Sequence, residues 1–286
     1  MDYIIFDLEW NQPPTPEAAV TEPMYVSGEI IQIGAVKLNE AFEVIDELRL
    51  YIRPIYYPKL HKRISALTHI REKDLETAPT FSEAYAQFAQ WCGEEYGYMT
   101  WSMSDMPMLL ENMQLHGIDC SRLPVCYDIQ RIFGREIMRS DTRCSLDHAL
   151  EVLNMKGDKA HDALHDARNT AKICGFLDLE QYIEEYAAPV YALPPLQGVY
   201  PTVHDALQRE ELRLFPCPFC GEEVKGESFA QWDPGSFMSY GVCQEEEAEF
   251  LLQLRVHKLS PGKFRFQRLL YGVSEDLWEI YQDHLS

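Results

Sequence analysis

The chain has 286 residues, 46% of them hydrophobic and 25% charged, the balance of a globular protein with one large domain or an ordinary domain plus a smaller one. Its formal net charge of −21 argues against broad, non-specific adhesion to duplex DNA or membranes. Asp2, Asp7 and Glu9 are out of place in a presequence, no apolar run approaches the ~18 residues of a membrane span, and scattered cysteines with one Cys-x-x-Cys pair suit a cytoplasmic protein.

Residues 3–9 read as a short, largely buried strand that turns acidic at its end. Residues 28–38 and 44–52 follow as two strands, expected as an antiparallel pair. The intervening Pro- and Glu-rich stretch reads as a loop. Between Arg49 and Lys73 lie seven basic residues with Glu72 the one acid, and from Asp74 to Ser121 there is no Lys or Arg. Such a segment either grips a phosphate backbone or is a solvated loop.

Residues 80–92 carry Phe81, Tyr85, Phe88 and Trp91 on one helical stripe, with Thr80 as N-cap and Glu83 completing a capping box. A short strand at 98–101 and a helix at 107–116, closed by Gly117, come next. Helices at 145–153 and 163–177 follow. Alternating strands and helices after an antiparallel start predict a mixed α/β sheet with helices on its faces. Pro189, Pro194, Pro195 and Pro201 resist regular structure, so residues 188–203 read as a linker between domains at 1–187 and 204–286.

Three acidic clusters carry the chemistry. Asp7 and Glu9, two apart on a strand, leave the same face. Their apolar neighbours make both carboxylates costly to bury unless a cation neutralises them, and hard oxygen donors suit Mg²⁺ or Mn²⁺. Asp105 begins a predicted helix, where an acid also serves the helix dipole. Asp162 reads as the N-cap of the helix from which Asp166 projects, and Ala163, Ala167 and Ala171 form a stripe that lets this helix press on the sheet. His161 precedes the helix in a loop, within reach of an attacking water. His165, on the helix, reads as a packing or surface histidine.

The order Phe6-Asp7-x-Glu9, Trp101-Ser102-x-x-Asp105 and His161-x-Ala163-x-x-Asp166-Ala167 resembles the DEDDh branch of the DnaQ-like 3′–5′ exonucleases, over roughly residues 1–185. The stretches 29–36, 51–54 and 67–70, with Phe81 and 88–91, are most similar to the subgroup of enhanced-RNAi, histone-mRNA and KapD-like exonucleases. The resemblance implies an RNase H-like mixed sheet flanked by helices and two divalent cations, Mg²⁺ or Mn²⁺. It implies that Asp7, Glu9 and Asp166 hold the first cation, that Asp7 bridges to the second, and that Asp105 holds the second cation's water shell. His161 would be the general base, the role histidine most often fills. Leu8 and Trp10 would border the terminal nucleotide, Leu67 or Ile70 would wedge against its base, and the basic segment would hold upstream phosphates. The implied partner is single-stranded RNA or a short oligonucleotide. A DNA-directed exonuclease and a non-catalytic nucleic-acid-binding scaffold are the alternatives.

In the C-terminal part, Cys217-Pro218-Phe219-Cys220-Gly221 looks like one knuckle of a zinc ribbon. Cys243 supplies a third thiol for a structural Zn²⁺, with Glu246 or His257 as candidate fourth ligands; the alternative is a metal-free β module. Strands at 248–256 and 264–273 and a helix at 275–284 are predicted. Residues 201–286 carry 8 basic and 15 acidic side chains, which favours docking of a protein partner over phosphate binding.

Overall fold

The computed structural model describes residues 1–121, 123–140 and 143–285. Two compact units emerge: the first holds residues 1–13, 28–118 and 124–187, the second residues 14–27, 119–123 and those from 188 onward. Among the described residues, no helix is long and apolar enough to cross a membrane.

The first unit runs β1 (Asp2–Asn11), β2 (Glu29–Leu38), β3 (Val44–Tyr51), α1 (Lys62–Thr68), α2 (Glu72–Leu75), α3 (Phe81–Cys92), β4 (Tyr96–Thr100), α4 (Asp105–Leu115), β5 (Cys126–Asp128), α5 (Ile129–Phe133), α6 (Leu146–Val152), α7 (Ala163–Cys174), α8 (Leu179–Tyr182) and β6 (Ala187–Ala188). The sheet order is β3-β2-β1-β4-β5-β6. β1 pairs antiparallel with β2 and parallel with β4, which makes the sheet mixed. Its central place explains the unbroken apolar run: Ile4, Ile5 and Phe6 are each at most 1% exposed.

Local chemistry sets the helix boundaries. At the start of α3, Thr80 N–H and Oγ1 both donate to Glu83 Oε2 at 2.8 Å, closing the predicted capping box. α7 begins at Asp162, whose carboxylate accepts from His165 N–H. The small-residue stripe lets α7 come so close to β2 that a Cβ built on Gly34 would stand 1.9 Å from the backbone nitrogen of Leu164. Only glycine permits that approach, and Gly34 is the register partner of Asp7.

The second unit contains β7 (Val190–Ala192), α9 (Val203–Leu207), the hairpin β8 (Leu214–Pro216) with β9 (Glu223–Lys225), then β10 (Ala230–Asp233), β11 (Ser236–Cys243), β12 (Ala248–Ser260), β13 (Lys263–Gly272) and α10 (Glu275–Leu285). Its main sheet is ordered β10-β11-β12-β13-β7. This corrects the linker expected at 188–203: β7 pairs with β13 through Val190–Ala192, and Tyr200 bridges to Phe264. The prolines do not prevent this pairing because none lies within β7: Pro189 precedes the strand, and Pro194, Pro195 and Pro201 follow it. The module also exceeds a bare ribbon, with Phe215, Phe250, Leu252 and Leu270 forming a core of their own.

Candidate active site

β1 carries Asp7 and Glu9 to the end of the sheet, where a register shift between Glu9 and Trp10 marks a bulge. Both side chains line a cleft of about 460 Å³ shared with Asp105, His161 and Asp166. Asp105 opens α4 and accepts from Leu8 N–H at 3.1 Å. Asp166 lies in the first turn of α7, and its Oδ2 accepts from His161 N–H at 2.8 Å. The turn that allows this bond puts His161 at φ +64°, a left-handed conformation sparsely occupied by residues other than glycine. Ligand atoms of Glu9, His161 and Asp166 all lie within 4.8 Å of one another.

The electrostatics of the cleft are those of an uncompensated anion cluster. Burial raises Asp7 well above the usual carboxylate range, and Asp105, Asp166 and Glu9 add to the rise. Burial, then Asp166 and Asp105, lifts Glu9 to about 8. Burial carries Asp105 to about 7 against the opposing Leu8 N–H, and Asp166 to about 6 against the His161 N–H. Arg63 is the one Lys or Arg among the described residues lining the cleft. The donors are hard oxygens packed closely enough to resist shared ionisation, so the set fits divalent cations of the Mg²⁺ or Mn²⁺ kind.

The exonuclease (RNase_T) family matches residues 4–174, more than half of the chain. The chain belongs to this family. Its five cleft residues follow the DEDDh order of the 3′–5′ exonucleases. The Bacillus subtilis protein named "Probable 3′-5′ exonuclease KapD" is 25% identical over 189 residues, 65% of this chain and 89% of that one. A PolC-type DNA polymerase III of Staphylococcus haemolyticus is 25% identical over 183 residues, 64% of this chain but 12% of the polymerase. The solved structure titled "3′-end specific recognition of histone mRNA stem-loop by 3′-exonuclease" superposes with a TM-score of 0.52 at 23% identity, covering 64% of this chain and 83% of that one; it supports the fold.

Other residues singled out in the sequence of this exonuclease-family chain divide between cleft and core. Leu8, Trp10 and Leu67 line the cleft, Leu67 being 40% exposed. Ile70 does not: it is 4% exposed and packs with Ile31 and Leu75, so the wedge role expected for it is withdrawn. Two members of the basic segment have carboxylate partners, Arg49 on Asp162 at 2.6 Å and Arg71 on Asp74 at 3.0 Å. His165 points its Nδ1 toward the Lys159 carbonyl at 3.2 Å and stays out of the cleft.

Several positioning residues were not foreseen. Fully buried Asn11 donates through Nδ2 to the carbonyls of Tyr57 and Lys59 and accepts from His61 N–H. It thereby anchors the loop that leads into α1 and brings Arg63, Ile64 and Leu67 to the cleft. Gln32 accepts from Ala163 N–H at 2.9 Å and fixes the start of α7; a glutamine inside the run Ile30-Ile31-Gln32-Ile33 was the available signal. Trp101 Nε1 and Gln130 Nε2 both donate to the Cys144 carbonyl, holding the turn that presents Ser145, Leu146 and Asp147 to the cleft. No local pattern marked that turn.

Proposed function

We propose that the first unit hydrolyses phosphodiester bonds from the 3′ end of single-stranded RNA or short oligonucleotides, releasing nucleoside monophosphates. The observation that carries this reading is the convergence of Asp7, Glu9, Asp105, Asp166 and His161 on one cleft. Asp7, Glu9 and Asp166 would hold one cation, and Asp7 with Asp105 would serve a second. Two such ions in a bound state supply a water of lowered pKa and charge stabilisation for the leaving 3′ oxygen.

The chain's own residues do the rest. His161, exposed on its loop, takes the proton of the attacking water, while its backbone bond to Asp166 anchors that loop beside the carboxylate. The bond from Leu8 N–H holds Asp105 toward β1. Leu8 and Trp10 border the terminal nucleotide, Leu67 wedges against its base, and Arg63 meets a phosphate. Wedge and stacking contacts of this kind suit strands whose bases are free to splay.

The RNA reading rests on the sequence stretches that resemble the RNA-trimming subgroup. A DNA-directed reading is favoured by the match to PolC-type polymerases. Digestion of 5′-labelled RNA and DNA of one sequence, with Mg²⁺, Mn²⁺ or EDTA, separates them. A ladder shortening from the 3′ end and abolished by EDTA is expected, with RNA consumed faster. Asp7→Ala should abolish release from a folded protein; release that continues in the pure variant would overturn the assignment.

A further inference from the structure

Cys217, Cys220 and Cys243 come together in the second unit, remote in sequence from the acidic clusters. Their three sulfurs lie within 4.8 Å of one another, and those of Cys220 and Cys243 are 3.5 Å apart. The β8–β9 hairpin carries the first two. Cys217 N–H donates to the Glu222 carbonyl at 2.8 Å and Gly221 N–H to the Cys217 carbonyl at 3.0 Å. Gly221 stands at φ +80°, a conformation glycine enters without steric cost, and it turns the chain back on itself.

That turn brings the sulfurs of Cys217 and Cys220 to one point. Cys243 closes the triangle from the end of β11, opposite Ala248 of β12. Cys217 and Cys243 are 3% and 2% exposed, and Cys220 is exposed. Phe215, Val224, Phe250 and Leu252 pack around the two buried cysteines, an apolar setting in which neighbouring thiolates require a cation.

We propose that Cys217, Cys220 and Cys243 bind one Zn²⁺ ion through their sulfurs, with the fourth position left to solvent or a small exchangeable donor. Soft sulfur ligands favour zinc over the oxygen-seeking cations expected at the acidic cleft. Among the described residues, no fourth Cys, His, Asp or Glu joins the three. Glu246 lies exposed in the turn between β11 and β12. His257 sits opposite Arg265 with its ring 5.2 Å from that of Tyr25. At the strand rise it is roughly 30 Å along β12 from Ala248. Neither completes the site, and exposed Cys220 places the open position on the solvent side.

The test is metal analysis of the full chain purified under reducing conditions without added metal, followed by replacement with Co²⁺. About one zinc per chain is expected, together with Co²⁺ spectra showing thiolate charge transfer and tetrahedral visible bands. Added 2-mercaptoethanol should shift those bands, because the fourth position exchanges. Cys243→Ser should lose the metal, whereas Glu246→Ala and His257→Ala should keep it. Should Cys243→Ser fail to fold, the Co²⁺ spectrum of the unaltered chain decides. A reduced chain free of zinc and without thiolate–Co²⁺ bands overturns the site, as does a Cys220–Cys243 disulfide persisting under reductant. Bands unmoved by the thiol, or metal lost on changing Glu246 or His257, overturn the open fourth position.

Discussion

The backbone N–H of Leu8 donates to Oδ1 of Asp105 across 3.1 Å, so the strand that carries Asp7 and Glu9 is tied to the first turn of α4. The bond separates two duties of one carboxylate, bracing the strand and serving a cation. Asp105→Asn keeps an oxygen acceptor for Leu8 and should fold normally while nucleotide release collapses. Asp105→Ala also strands a buried donor, which costs about 1–3 kcal/mol. Melting curves and release rates for both variants check this: equal destabilisation would mean the bond contributes nothing to the fold.

Crowded carboxylates make the metal-free fold sensitive to pH. Glu9 moves from 4.5 to about 8, Asp105 to about 7 and Asp166 to about 6, all upward with burial as the first cause. The folded state therefore holds protons that the unfolded chain has already released. Stability from these groups is fully present below their unfolded values and is lost as pH rises through the folded ones. Melting temperature of EDTA-treated protein should fall from about pH 5 to pH 8, and Mg²⁺ should flatten the slope. Asp7→Asn should raise the metal-free melting temperature near the upper end. A metal-free profile that rises across that window would contradict the coupling.

Much of this cleft was legible through the family resemblance. Two carboxylates on a strand or an acid opening a helix have ordinary structural uses when taken singly, and only the three motifs in that order narrow them to one site. Ile70 was misjudged because an apolar residue after a short helix can face cleft or core, and the choice lies with Ile31 and Leu75 far away in sequence. Residues 14–27 look like a plain loop between strands, yet they belong to the second unit. Nothing local announces such long-range membership. Proline density misled at 188–203 for the opposite reason, since local resistance to structure gave way to an available sheet edge.

Gly34 and Asp7 are register partners, and the missing Cβ is what brings α7 against β2. Gly34→Ala would place a methyl 1.9 Å from Leu164 N and 2.1 Å from the carbonyl carbon of Ala163, both backbone atoms that cannot rotate away. A cost at or above the usual overpacking range of about 1–3 kcal/mol is expected. Displacement of α7 should also move Asp166, so release should fall more than folded protein does. Calorimetry with rates per folded molecule tests both halves.

Asn11 uses three hydrogen bonds to hold the loop from Tyr57 to His61. Asn11→Ala should leave two carbonyls and one N–H without that partner and loosen the approach to α1, at a cost of about 1–3 kcal/mol. The consequence for catalysis should fall on KM, because α1 brings Arg63 and Leu67 to the cleft but no carboxylate. A drop in kcat with KM unchanged would show that the loop acts on the carboxylates instead.

Leu67 and Ile70 lie three residues apart and should behave oppositely. Leu67 is 40% exposed at the cleft, so Leu67→Ala removes little packing and should leave the melting temperature nearly unchanged while raising KM for oligonucleotides. Ile70 is 4% exposed in a core cluster, so Ile70→Ala should cost about 2–5 kcal/mol and leave KM of the folded fraction near that of the parent. Denaturant melts give the first quantity and initial rates on a labelled oligonucleotide give the second. If Leu67→Ala destabilises as much as Ile70→Ala while binding is unaltered, the wedge does not exist and α1 serves only to cover the core.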